Sequence, residues 1–263
     1  MSRQNQQQDF RTKRAFLPDE VFLLENGKRP GPTELVLERV WRGIIRLPDD
    51  VALTTSNHHG AQLERLYTLW GDWIEAIGDA EDELFGCMLD AADCLQGSTF
   101  DSLHGYYRSA ISNLRSALEL VAIGALGNLA PKDADYLRWT KQKIGTLPFS
   151  TAIRKLRVAT RGRPQQAFKP TGWLDALYDK LCGYAHARPD ANDGAMWRSN
   201  GPIYVNDAFN QVYQLQVSAF ATCYVFVKVG RPRFVLPSSS GFLFTTKGLL
   251  CSADITAAYQ ASP

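Results

Sequence analysis

The stretch TFDSLHGYYRSAISNLRSALELVAIGAL, residues 99–126, decides the fold. Leu103, Tyr106, Tyr107, Ala110, Ile111, Leu114, Ala117, Leu118 and Val121 recur at three and four residues, the spacing of one apolar helix face. Ser98 or Thr99 reads as the N-cap, and Gly127-Asn128 as the stop. A single long helix is therefore expected here, with His104, Arg108, Ser112, Arg115 and Glu119 in a narrow arc beside the apolar face. That arc continues into Ala122 and Leu126. Its polar members are thus expected to be partly covered, with Arg115 and Glu119 paired one turn apart.

Similar periods lie on either side. Leu63, Leu66, Tyr67, Trp70, Trp73, Ile74 and Ile77 mark a helix that Gly78-Asp79 breaks, and residues 81–95 resume the pattern. Thr33 looks like a cap for a helix over residues 34–47, with Pro48 ending it and residues 48–60 as a loop containing a solvated His58-His59. Two short helices are expected over residues 133–144 and 150–159, and a further helix over 173–187, limited by Pro189. A last long one runs from Asn206 or Asp207 to about Val229. A short hairpin at residues 242–246 and a short helix follow. These runs predict an all-α, multi-helix bundle with long antiparallel helices and a minor irregular or β segment near the C-terminus. The expected organisation is a flexible basic segment over 1–32, a helical domain over 33–230 and a C-terminal extension over 231–263.

Bulk properties narrow the classes. The chain has 263 residues, 45% hydrophobic and 21% charged, with a net charge of +2, so a sizeable core can form and no global basic field exists. Five cysteines without a C-x-x-C pair argue against a disulfide framework or zinc ribbon and favour a reducing, cytoplasmic setting. The apolar run 215–229 carries too many polar residues to span a bilayer and reads as a buried helix. Gly-rich phosphate loops and nucleophile elbows are absent from the sequence. No cofactor and no metal site is expected: Cys182 and His186 are one turn apart, but further ligands are not supplied nearby. Arg154, Lys155, Arg157, Arg161, Arg163 and Lys169 form the densest basic stretch, either a solvated loop or a phosphate-backbone contact.

The helix end YDKLCGYAH, residues 178–186, is the most suggestive local feature. Trp173, Leu174, Leu177, Tyr178, Leu181, Tyr184 and Ala185 share one side. Asp175, Asp179, Cys182 and His186 share the other. A histidine in a last helical turn can serve as general acid or base near neutral pH, or simply cap its own helix. Arg115 could reach toward it and hold a phosphate with its planar guanidinium.

Taken in order, GYYRSAISNLRSALEL (105–120), LRW (137–139), LPFS (147–150) and LYDKLCGYAH (177–186) resemble a group of bacterial helical proteins related to the HEPN superfamily, over about residues 100–187. Many HEPN proteins are metal-independent RNases of toxin–antitoxin and phage-defence systems, marked by an arginine and then a histidine four to six residues later, and acting as homodimers. The resemblance implies His186 as general base or acid and Lys180 or Arg115 as the phosphate-binding cation. Arg108, Glu119 and Tyr184 are the candidate substrate-binding residues. The implied partners are RNA and a second copy or partner protein, without a membrane. Lys180 and Leu181 stand where the family carries arginine and a polar residue. The alternative is therefore a catalytically inactive helical interaction module.

Overall fold

The computed structural model describes residues 42–78, 81–161, 172–186, 201–244 and 253–262. The chain divides into two units, Met1–Leu47 and Pro48–Pro263. In the first, the described part is a π-helical turn, Arg42–Arg46; the rest of the expected 34–47 helix and the basic 1–32 segment lie outside the described residues.

The regular elements of the second unit are all helical among the described residues: α1 (Leu47–Ile77, whose first residue belongs to the first unit), α2 (Glu83–Leu103), α3 (Tyr107–Leu129), α4 (Ala134–Thr140), α5 (Phe149–Ala159), α6 (Trp173–Ala185), α7 (Asn206–Gly230), a 3₁₀ turn (Ser238–Phe244) and α8 (Ala253–Ala261). The all-α reading therefore holds. The expected hairpin does not: residues 242–244 belong to the 3₁₀ turn, and 245–246 lie outside the described residues.

Two boundaries correct the sequence reading. Pro48 does not end a helix; it sits in the first turn of α1, followed by Asp49 and Asp50. Proline's missing N–H costs nothing there, and acids favour a helix N-terminus. The polar run that suggested a loop is helical, and Thr54, Thr55 and Ser56 each turn their hydroxyl back to the carbonyl four residues before, a bond compatible with the helix. The irregularity is confined to His59 (φ −129°, ψ 24°). Nor is His59 solvated: it is 7% exposed, stacks on Phe209 at 4.2 Å, and bonds Gln62 at 2.5 Å and the Tyr204 hydroxyl at 3.1 Å.

The second correction concerns residues 98–107. Ser98 and Thr99 do not start a helix, because Ser98 Oγ accepts from the buried Gln216 amide and Thr99 donates back to Leu95. α2 runs on to Leu103. The chain then turns at Gly105, whose φ of +82° favours glycine; a Cβ there would also lie 2.4 Å from the Ile203 carbonyl oxygen. His104 thus caps α2, its Nδ1–H donating to Phe100 O, and is not part of the arc containing Arg115.

α3 is the axis. α2 and α7 pack most closely on it, and α5, α6 and α4 also lean on it. Close approach needs small residues at the crossings. A Cβ on Gly124 would meet Leu84 Cδ1 at 2.7 Å and Cys87 Cβ at 2.8 Å, and one on Gly230 would meet Ala125 Cα at 3.0 Å. α1 is joined differently, through the indole N–H groups of Trp70 and Trp73 donating to Ala92 and Met88 carbonyls of α2. By length and composition α3 could cross a membrane, yet 67% of its apolar window is buried by its neighbours, as expected of a central helix.

One polar knot ties four helix ends. Asp82 caps α2 by accepting from Leu84 and Phe85 N–H. Arg231 then grips Asp82 with two N–H groups at 2.7 and 2.8 Å and reaches the Ala76 and Ile77 carbonyls at the end of α1. Asn128 donates to Asp82 and to the Gly230 carbonyl at the end of α7. Burial alone would raise the Asp82 pKa, but the bonds from Arg231 and Asn128 and the arginine charge outweigh it and hold the carboxyl below its usual value. One turn before Ala76 in α1, the buried Asp72 carboxylate accepts from the Ser239 and Ser240 hydroxyls of the 3₁₀ turn.

Candidate functional site

α3 and α6 pack against one another, and their crossing sets the site. Arg115 projects from the middle of α3, and Glu119 one turn on. Glu119 Oε1 accepts from Arg115 Nε at 3.0 Å and from the Tyr178 hydroxyl of α6 at 2.5 Å. Tyr178 is itself held flat against Phe149, the first residue of α5, with ring centroids 4.0 Å apart. Arg115 Nη1 then lies 2.9 Å from His186 Nε2. A guanidinium only donates, so Nε2 is the acceptor in this contact. His186 caps α6, its backbone N–H bonding Cys182 O, and its side chain is exposed.

The order of the chain of contacts is thus Phe149, Tyr178, Glu119, Arg115, His186. Each link fixes the next, leaving the guanidinium with few rotamers and its Nη2 without a hydrogen-bond partner among the described residues. Burial pushes the Tyr178 hydroxyl up, and the Glu119 bond and charge push it further, so it stays a donor. Burial disfavours the Arg115 cation, but Glu119, Tyr178 and Cys182 nearby more than compensate. A half-buried guanidinium, 28% exposed, thus stands charged beside an exposed imidazole.

Of the residues singled out in the sequence, the structure brings together Arg115, Glu119 and His186. Lys180 makes no hydrogen bond or ion pair to them; its Nζ sits 6.0 Å from the Tyr184 ring centroid, and Tyr184 is only 4% exposed. Arg108 lies two turns before Arg115 at the start of α3, half-buried. Lys155, from the basic stretch, is engaged by Asp133 and Asp135 at 2.6 and 3.0 Å, while Arg163 and Lys169 lie outside the described residues. The member that sequence reasoning missed is Tyr178, assigned to the apolar stripe. The available signal was Glu119 itself, since a half-covered carboxylate needs more donors than one arginine N–H.

No protein-family profile, curated protein or solved structure matches the chain.

Proposed function

We propose that this protein is a HEPN-like, metal-independent endoribonuclease of a bacterial defence or toxin–antitoxin system, with His186 as general base and Arg115 as the phosphate-binding cation. The observation that carries the reading is the 2.9 Å approach of Arg115 Nη1 to His186 Nε2, which pairs an anchored cation with an exposed base. Of the two cations that the resemblance implies, Lys180 and Arg115, it is Arg115 that stands beside the imidazole. In the reaction, a phosphodiester draws the Nη groups onto its non-bridging oxygens and releases Nε2. Nε2 then removes the ribose 2′-hydroxyl proton. The 2′-oxygen attacks phosphorus, the P–O5′ bond breaks, and the 5′-oxygen leaves with a proton from water. A 2′,3′-cyclic phosphate and a 5′-hydroxyl result. Arg115 stabilises the charge that grows on the phosphorane-like state.

The test is cleavage of RNA by the purified protein in EDTA. His186→Ala and Arg115→Ala are each expected to lower the rate by about 10²–10⁴, the usual range for a positioned base and for an oxyanion-stabilising donor. A wild-type protein that cuts no RNA, or a His186→Ala variant that cuts equally well, sinks the reading.

One observation favours a second reading, a catalytically inactive interaction module. The chain from Tyr178 to His186 closes on itself, so it also works as a tie between α3 and α6. That reading expects His186→Ala to leave the biological phenotype intact, while charge substitutions on a dimer or partner surface abolish it.

A further inference from the structure

A second histidine, His59 of α1, sits in a chain of hydrogen bonds whose polarity a backbone atom fixes. The Asn206 carbonyl can only accept, so the Asn210 side chain turns its NH₂ group toward it, at 3.0 Å. Asn210 Oδ1 therefore faces Gln62 and accepts from its Nε2 at 3.1 Å. That leaves Gln62 Oε1 toward His59, where it accepts from Nδ1 at 2.5 Å. Nδ1 thus carries a proton, and Nε2 is the ring atom left for the Tyr204 hydroxyl, 3.1 Å away. The other acceptor near that hydroxyl, Asn206 Oδ1, lies further off at 3.4 Å. Phe209 stacks on the imidazole at 4.2 Å and fixes its plane. None of these residues belongs to the chain of contacts that ends at His186.

Nucleophilic sites use the same order: a hydroxyl within hydrogen-bond reach of a base, and a third group that orients the base. Here the base is buried and the hydroxyl end is open. His59 is 7% exposed, whereas Tyr204 is half-buried and its neighbours His58, Asn206 and Asp207 are exposed. His58 lies flat on the Tyr204 ring, with centroids 5.2 Å apart, and steadies it. Burial and the Asp207 carboxylate push the Tyr204 hydroxyl up. It therefore keeps its proton at neutral pH and reacts by handing that proton to a base. The same carboxylate repels an anionic reagent, which favours an uncharged electrophile over a phosphate.

We infer that Tyr204 is a nucleophile that takes acyl groups from uncharged esters, with His59 as its general base and Gln62 as the residue that positions His59. The Tyr204 oxygen attacks the ester carbonyl carbon while His59 Nε2 takes the phenolic proton. The bond from that carbon to the alcohol oxygen breaks, and the oxygen leaves with the electron pair. The proton on Nε2 follows it or passes to water, and an acyl ester of Tyr204 remains.

The experiment treats the intact protein with p-nitrophenyl acetate at neutral pH and follows acetylation of each tyrosine by peptide mapping. Tyr67, 72% exposed, is the internal reference. A positioned base contributes about 10²–10⁴; Tyr204 is the less exposed of the two, so it should acetylate at least about tenfold faster than Tyr67. His59→Gln keeps an acceptor beside the hydroxyl but cannot take its proton. It should bring Tyr204 down to the Tyr67 rate with circular dichroism unchanged. Gln62→Met removes the acceptor for Nδ1 and serves as the second variant in case the first fails to fold. It should slow Tyr204 and leave Tyr67 as it was. A Tyr204 rate short of the tenfold margin overturns the inference, as does an unchanged Tyr204 rate in either folded variant, or an acetyl group carried by His58 in its place. Phosphorylation of Tyr204 by p-nitrophenyl phosphate, without acetylation by the ester, overturns the assignment to uncharged esters.

Discussion

Replacing Arg231 by methionine should cost the fold about 2–3 kcal/mol at pH 7. The side chain is 14% exposed and its partner Asp82 30%. Breaking a fully buried pair by removing one member costs about 3–5 kcal/mol, but Asp82 here keeps the Leu84, Phe85 and Asn128 donors, so it is not orphaned. Charge-assisted bonds contribute about 1.5–3 kcal/mol, and the partial exposure places the loss in the middle of that range. At roughly 2–4 °C per kcal/mol for a domain of this size, the melting temperature should fall by about 4–12 °C. The pH dependence is the stronger test. Asp82 binds its proton less readily in the folded chain than at its usual value of 3.8. Unfolding at low pH therefore takes up a proton. The contribution is complete above the unfolded value and is lost as pH falls through the lower, folded one. Urea unfolding of both proteins from pH 7 to pH 2.5 should show a gap that is constant down to about pH 4 and then shrinks. A gap below about 0.5 kcal/mol at pH 7, or one that persists undiminished at pH 2.5, would refute the reasoning.

Gly105→Ala should destabilise the bundle by at least about 1–3 kcal/mol, through positive-φ strain and collision with the Ile203 carbonyl; a chemical-denaturation midpoint within error of wild type would contradict the turn. Burial raises the Cys87 thiol to about 12 and raises Cys223 as well, so neither should react with a thiol reagent at pH 8 until the chain unfolds, as peptide mapping of labelled protein would show. Burial also raises the hydroxyls of Tyr136, Tyr178 and Tyr224 above the usual 10.0. The unfolded chain therefore loses protons first, stability declines above about pH 10, and tyrosine absorbance at high pH should rise in step with loss of helix. Tyr178→Phe should cost about 1–3 kcal/mol by leaving Glu119 one donor short; calorimetry that finds no drop would remove Tyr178 from the chain of contacts.

The helices that carry the core were legible because their apolar period is long and regular: the three-four repeat of residues 107–126, 173–185 and 206–229 has no strand reading. The errors came where tertiary partners overrule local signals. Ser98 looks like a cap only until Gln216, 118 positions away, claims its hydroxyl. The run from Thr54 to His59 looks like a loop because serine, threonine and histidine are weak helix formers, and nothing local reveals that the hydroxyls bond back and that Phe209 covers the imidazole. For the site, each of Arg115, Glu119 and His186 stood out by position. Their meeting depends on how α3 crosses α6, and 71 residues separate the arginine from the histidine. The resemblance offered Lys180 or Arg115 as the cation, and the crossing of α3 and α6 is what directs Arg115 to the imidazole.

The two serines that hold Asp72 have a consequence for how the chain is made. They lie 167 and 168 residues downstream of it. At ribosomal rates of about 5–20 residues per second, α1 exists for roughly ten to thirty seconds before either serine has been synthesised. During that interval the carboxylate must stay in water, and the face of α1 around it cannot close. The 3₁₀ turn therefore acts as a late latch, and a nascent chain halted before residue 240 would hold α1 ajar for whatever chaperone or protease meets it first.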